Sequence, residues 1–188
     1  MTTPPDPENA VTPLAARIHT EEVSRAVPGT PRPGMVAGTV LRAARTSARI
    51  TEACLAATLA VSEETIRAWE EGSDPPASLP VPHLERLKSV LSAAGAETRI
   101  VADLDAAAWC DLVLLAIAGS DDCACLLADP LTCEEAFREL LAWSLTGHVP
   151  ARYRRLALPT PLIADPALIV RTAAVLGACR PDLLSGLA

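Results

Sequence analysis

Two residues suited to starting helices, Thr51 and Ser62, stand eleven positions apart, and this spacing constrains the chain more than any other feature. A hydroxyl just ahead of a helix accepts a bond from the free N–H groups of the first turn, so each marks a start. Only one short helix and a tight turn fit between them. The first helix carries Leu55, Ala56 and Leu59, the second Ile66 and Trp69, and Val61 would plug the turn. Gly72 ends the second helix and Pro75-Pro76 prevents its continuation. With Ile66 and Trp69 inward, Glu63, Glu64, Arg67 and Ala68 face outward.

Helical periodicity extends to both sides of this unit. Val40, Leu41 and Ala44 recur at helical spacing between Val36 and about Arg49, and Leu84, Leu87 and Leu91 share one face of a helix over 82–94 that stops at Gly95. After a connector or short strand at 98–101, Asp105 is expected to cap a helix reaching Gly119. Its apolar residues run nearly all round, which suits an interior or an interface. A short piece over 121–128 precedes a helix that starts at Pro130 or Cys133 and closes at Gly147. Thr132 and Glu135 have capping-box spacing there, with Asp129-Pro130 as a competing start. The last helix runs from Asp165-Pro166 to about Ala178. Half the residues are apolar but only 3% are aromatic, so the core is built from small aliphatic side chains, as helical cores usually are. The expected fold is all-α. Residues 1–34 are expected to form a flexible proline-rich leader with a short helix between Pro13 and Pro28, 35–95 a first helical domain and 96–188 a second small helical domain.

The run Ile50-Thr51-Glu52-Ala53-Cys54-Leu55-Ala56-Ala57-Thr58-Leu59-Ala60-Val61-Ser62-Glu63-Glu64-Thr65-Ile66-Arg67-Ala68-Trp69-Glu70-Glu71-Gly72 resembles, without a gap, the XRE family of phage-repressor-like helix-turn-helix proteins. Leu41-Arg42-Ala43-Ala44-Arg45 is similar to that family's first helix, and Pro75-Pro76 to its exit; about 60 of the 188 residues are covered. The resemblance implies that 35–95 is a DNA-binding domain, a phage-repressor-like bundle whose helix over about 62–70 enters the major groove. It implies an internal ion pair between Arg45 and Glu70. Thr51 and Glu52 would approach phosphate and a base edge, Glu63, Glu64, Arg67 and Ala68 would read bases, with Ser62 and Thr65 in the same DNA-facing set, and Arg42 and Arg49 would meet phosphates. Two departures stand out. Glu52, Glu63 and Glu64 occupy positions where the family often carries Gln, Arg or Lys, although a glutamate accepts a bond from cytosine N4. Ala60 replaces the usual turn glycine, so the bend is reached without glycine's freedom in φ.

The implied function is a transcriptional regulator binding double-stranded DNA, as a homodimer over two half-sites, with a protein partner for the C-terminal domain as a further possibility. The alternative is a non-catalytic adaptor that uses the same fold and an acidic surface to bind protein. Charge weighs towards the alternative, because Lys and Arg number 16 against 23 Asp and Glu, a net −7, while phosphate binding rests on cations. The acidity lies mostly beyond residue 95, with 7 basic and 12 acidic residues there, against 6 and 7 over 36–95. No signal-peptide pattern or 20-residue apolar run is visible, so a cytoplasmic protein with no membrane partner is expected. Six cysteines are then free thiols. Cys110, Cys123, Cys125 and Cys133 fit no ligand frame, since a C-x-C pair in a helix points its thiolates roughly 200° apart. No metal or other cofactor is expected. His19, His83 and His148 are isolated, and no phosphate-binding glycine loop occurs, so no enzymatic role is indicated. Arg152-Tyr153-Arg154-Arg155 is a basic cluster outside the repressor-like unit, suited to a phosphate backbone, an acidic partner or a solvated loop.

Overall fold

The structure, a computed structural model, describes residues 34–76, 79–119, 124–158 and 166–184, and among them every regular element is helical. Helix α1 spans Met35–Ser47, α2 Glu52–Leu59, α3 Glu63–Glu71, α4 Val81–Ala93 and α5 Thr98–Gly119. A short α6 at Ala124–Leu127 and a 3-10 turn at Pro130–Cys133 lead into α7, Glu135–Thr146. A second 3-10 turn at Ala151–Tyr153 precedes α8, Pro166–Cys179, and α9, Pro181–Leu184. The leader with its Pro13–Pro28 helix, Cys123 and Asp165 lie outside the described residues. No described helix is long and apolar enough to cross a membrane.

The axis of the molecule is α5. Ile100, Leu104, Ala107, Leu114 and Ile117 along it are buried, and α1, α4, α7 and α8 all pack against it, α1 most extensively. Val36, Ala37, Val40, Leu41 and Ala44 of α1 are fully buried, and burial of that apolar stripe, with its small Ala residues, brings the two helices together. On another side, α7 contributes Phe137, Leu140 and Leu141. One hydrophobic core runs from α1 to α9, and α4 and α5, on either side of residue 95, both belong to it.

Two boundaries differ from those the sequence suggests. Helix α5 starts at Thr98, seven residues ahead of Asp105, because Ile100, Val101 and Leu104 extend the buried face upstream and Ile100 N–H already bonds Glu97 O at 2.9 Å. Asp105 lies within the helix and accepts from Lys88 Nζ at 2.7 Å. Nor does Thr132 form a capping box with Glu135. Its buried hydroxyl lies 2.7 Å from Asp129 O and accepts from Arg180 Nη1 at 2.5 Å, while α7 begins after Glu134 without a side-chain cap. A tertiary cation outcompetes the local cap.

The start of α1 has no cap from its own sequence, since Gly34 precedes it. Asp111 of α5 takes that role from 75 positions away, Oδ1 accepting from Val36 N at 3.0 Å and Oδ2 from Ala37 N at 2.8 Å. Both oxygens thus satisfy donors that a helix start leaves open, and the carboxylate sits at the positive end of the helix dipole. Burial nevertheless pushes the Asp111 carboxyl up to about 7, against the downward pull of the two N–H bonds. An unfolded aspartate titrates near about 4, so between those values the folded chain holds the extra proton and stability must fall as pH rises. The slope of denaturation midpoints from pH 4 to 7 is therefore expected to be more negative in the native chain than in Asp111→Asn; equal slopes in both chains would refute the assignment.

Candidate nucleic-acid interface

The unit that presents the candidate surface is α2, the turn over 60–62 and α3. Thr51 Oγ1 accepts from Cys54 N at 3.1 Å and Ser62 Oγ from Thr65 N at 3.1 Å, so each helix starts on its own hydroxyl. Gly72, at φ 73°, closes α3. The turn is made at Ala60 with φ 60° and ψ 43°, a left-handed conformation that crowds an L side chain, and Val61 N bonds back to Ala56 O at 3.0 Å. Inward, Leu55, Leu59, Ile66 and Trp69 are buried, and α3 packs on α1 and α2. At Gly38 of α1 an added Cβ would lie 2.6 Å from Trp69 O and 2.7 Å from Glu70 O. Only a glycine lets α1 cross the end of α3 backbone against backbone.

A buried carboxylate fixes that crossing. The Glu70 side chain is fully buried; Oε1 accepts from Arg45 Nε at 2.5 Å, and Oε2 accepts from Arg45 Nη2 at 2.9 Å and from Arg42 Nε at 3.0 Å. Arg45 Nη1 also bonds Ile50 O at 3.0 Å, which ties the α1–α2 connection to the same group. The bond to Glu70 raises the Arg45 pKa over its already high value despite burial. Arg42, placed by the sequence among phosphate partners, is thus a second donor to Glu70. Its position three residues before Arg45 puts both on one face of α1, which is the signal that could have paired them.

The outer face of α3 is open to solvent. Ser62, Glu63, Glu64 and Arg67 are exposed, and Thr65 and Ala68 are half-buried. Glu64 accepts from its own backbone N–H and from Ser62, which holds its carboxyl below the usual range. Arg67 is 48% exposed in its side chain, and its Nη2 lies 3.3 Å from Glu52 Oε2. Glu52 Oε1 lies 3.6 Å from Arg45 Nη2, so this residue spans two guanidinium groups. Exposed Arg49, two residues past the end of α1, has φ 58°. Exposed Arg67 is therefore brought together with half-buried Glu52, and Glu63 and Glu64 stand exposed on the same helix as Arg67, while Arg42 and Arg45 both bond Glu70 inside.

Elsewhere the candidate chemistry is occupied by packing. Arg152 bonds Asp103 through Nε at 2.5 Å and Glu139 through Nη1, and buried Tyr153 donates to Asp103 at 2.5 Å, leaving Arg154 and Arg155 as the exposed part of that basic cluster. Cys110 is fully buried, and that burial pushes its thiol well up. Among the described residues no group of His, Cys, Asp and Glu could hold a metal ion.

Two outcomes follow for stability. Glu70→Gln should cost about 3 kcal/mol or somewhat more in urea denaturation, the lower part of the range for breaking a buried pair, because Arg42 and Arg45 retain some contact with water. A loss below roughly 1 kcal/mol would mean that both arginines are as well off in solvent. Ala60→Gly should raise stability by about 0.5–1 kcal/mol, since the exposed methyl contributes no packing and glycine adopts positive φ freely. No protein-family model, no curated protein and no solved structure matches the chain.

Proposed function

We propose that the protein is a sequence-specific DNA-binding transcriptional regulator of the XRE type, with α2 and α3 as a helix-turn-helix and α3 as the helix that enters the major groove. In this reading α1 to α4, braced by α5, are a phage-repressor-like bundle, and the helices beyond are a C-terminal helical part that shares its hydrophobic core. The observation that carries the reading is the disposition of α3. Its inner face is consumed by Ile66, Trp69 and Glu70, while Ser62, Glu63, Glu64 and Arg67 along its other side face solvent. A major groove is wide enough to accept such a helix, and Arg67 can donate a fork of bonds to guanine O6 and N7.

A single α3 offers few cations, so two half-sites about one duplex turn apart are needed for useful affinity, and the working form is a homodimer in the cytoplasm. The C-terminal helices carry that association or the contact with a protein partner. A second reading, a non-catalytic adaptor for another protein, draws on the exposed carboxylates of Glu63 and Glu64 beside a paired Arg67.

Salt titration separates the two. A regulator should select fragments from genomic DNA, bind them with an affinity that falls as salt rises, and lose about 1–3 kcal/mol of base discrimination, tenfold or more, on Arg67→Ala. An adaptor should retain no specific duplex even at the lowest salt.

A further inference from the structure

We propose that Glu52 is a positioning residue for base recognition: anchored by Arg45, it holds the Arg67 guanidinium toward a guanine and keeps it from the phosphate backbone. The inference rests on the DNA-binding reading above and names the base and the residue that sets specificity within it.

The geometry is a graded chain of charge from the core to the surface. Glu70 is fully buried and takes two bonds from Arg45, at 2.5 and 2.9 Å, and a third Arg45 bond goes to Ile50 O at 3.0 Å. A guanidinium tied on so many sides is a fixed post. Glu52 stands against it at 3.6 Å with its side chain 27% exposed, and the other oxygen of the same carboxylate meets Arg67 Nη2 at 3.3 Å. Arg67 is the exposed end of the chain, at 48%. Each link outward is wetter than the one before, and both outer links are longer than the innermost, so the last can be reshaped by a ligand while the first cannot.

Two consequences follow for recognition. A contact through one terminal nitrogen leaves donors of the guanidinium for a forked bond, and guanine, with acceptors at both O6 and N7, is the base whose major-groove edge matches that fork. The Glu52 carboxylate also offsets the Arg67 charge at long range and repels phosphate, which lowers sequence-independent attraction more than it lowers a short directed bond. Arg67 tethered in this way gains selectivity and loses non-specific affinity.

The probe is a pool of duplexes with a randomised core, selected in parallel by the full-length chain, by Arg67→Ala and by Glu52→Gln, with retention of the unselected pool measured over a range of salt. The native chain should enrich guanine at one position per half-site, and Arg67→Ala should abolish that enrichment. Glu52→Gln should weaken it about tenfold while raising retention of the unselected pool several-fold and leaving the melting temperature nearly unchanged, a combination that general damage to the fold would not produce. Relaxation of the Arg67 Nε–H signal by NMR gives a readout without DNA, and Glu52→Gln should make that group more mobile. If the native chain and Arg67→Ala behave as stated but Glu52→Gln keeps the guanine preference, or leaves Arg67 as rigid as before, Glu52 does not position it and this inference alone falls. Should the native chain retain no duplex at low salt, the DNA-binding reading falls and this one with it.

Discussion

The carboxylate of Glu70 is the group on which the arrangement of the first three helices depends. It belongs to the last turn of α3, yet all three of its described side-chain bonds come from Arg42 and Arg45 of α1. Burying an unpaired carboxylate would cost several kcal/mol, so the fold tolerates Glu70 only with both guanidinium groups in place. Conversely, the arginines reach it only because Gly38 lets α1 approach the α3 backbone directly. Apolar packing of Ile66 and Trp69 draws α3 inward without specifying its rotation closely. The ion cluster specifies it, and so determines which residues of α3 face solvent.

The other end of α1 is held just as definitely, by Asp111. Because Asp111 sits on α5, the central helix of the core, the position of α3 is referred through α1 to α5 and from there to α7 and α8. Helix α1 is thus a strut with a carboxylate at each end, one from the α5 axis and one from α3. Rearrangement of the C-terminal helices that moved α5 would strain the Asp111 cap before it strained anything in the α2–α3 unit itself. This is a route by which those helices could influence the candidate interface without touching it.

Features with local causes were legible in the sequence. Thr51 and Ser62 bond N–H groups three residues away, and Gly72 adopts the left-handed conformation its residue type favours, so short-range chemistry was enough to place α2 and α3. The inward set of Leu55, Leu59, Ile66 and Trp69 follows from helical spacing alone. Where a distant partner decides, the local signal misleads. Asp105 has the form of a cap and is instead a partner for Lys88; Thr132 has the form of a capping box and instead meets Arg180; Asp111 has no local signature and caps a helix 75 residues earlier. In the candidate site the same division holds. Which residues of α3 face out could be read, but the spending of Arg42 on Glu70 and the coupling of Glu52 to Arg67 depend on how three helices meet.

Net charge is a poor guide to this surface because most of the charge nearby is already matched. Arg42, Arg45 and Arg67 set against Glu70 and Glu52 leave one excess positive charge, so the ion cluster around α3 contributes little long-range field. What a ligand would meet on α3 is Arg67, already partnered, alongside Glu63 and Glu64. Such a face attracts a phosphate backbone weakly, and any specific affinity for DNA must come from directed bonds to base edges and from doubling the site across two copies. The acidity that counts against indiscriminate DNA binding is therefore compatible with the selective binding proposed, in which the weight of recognition would fall on the geometry of a few side chains rather than on the charge of the whole.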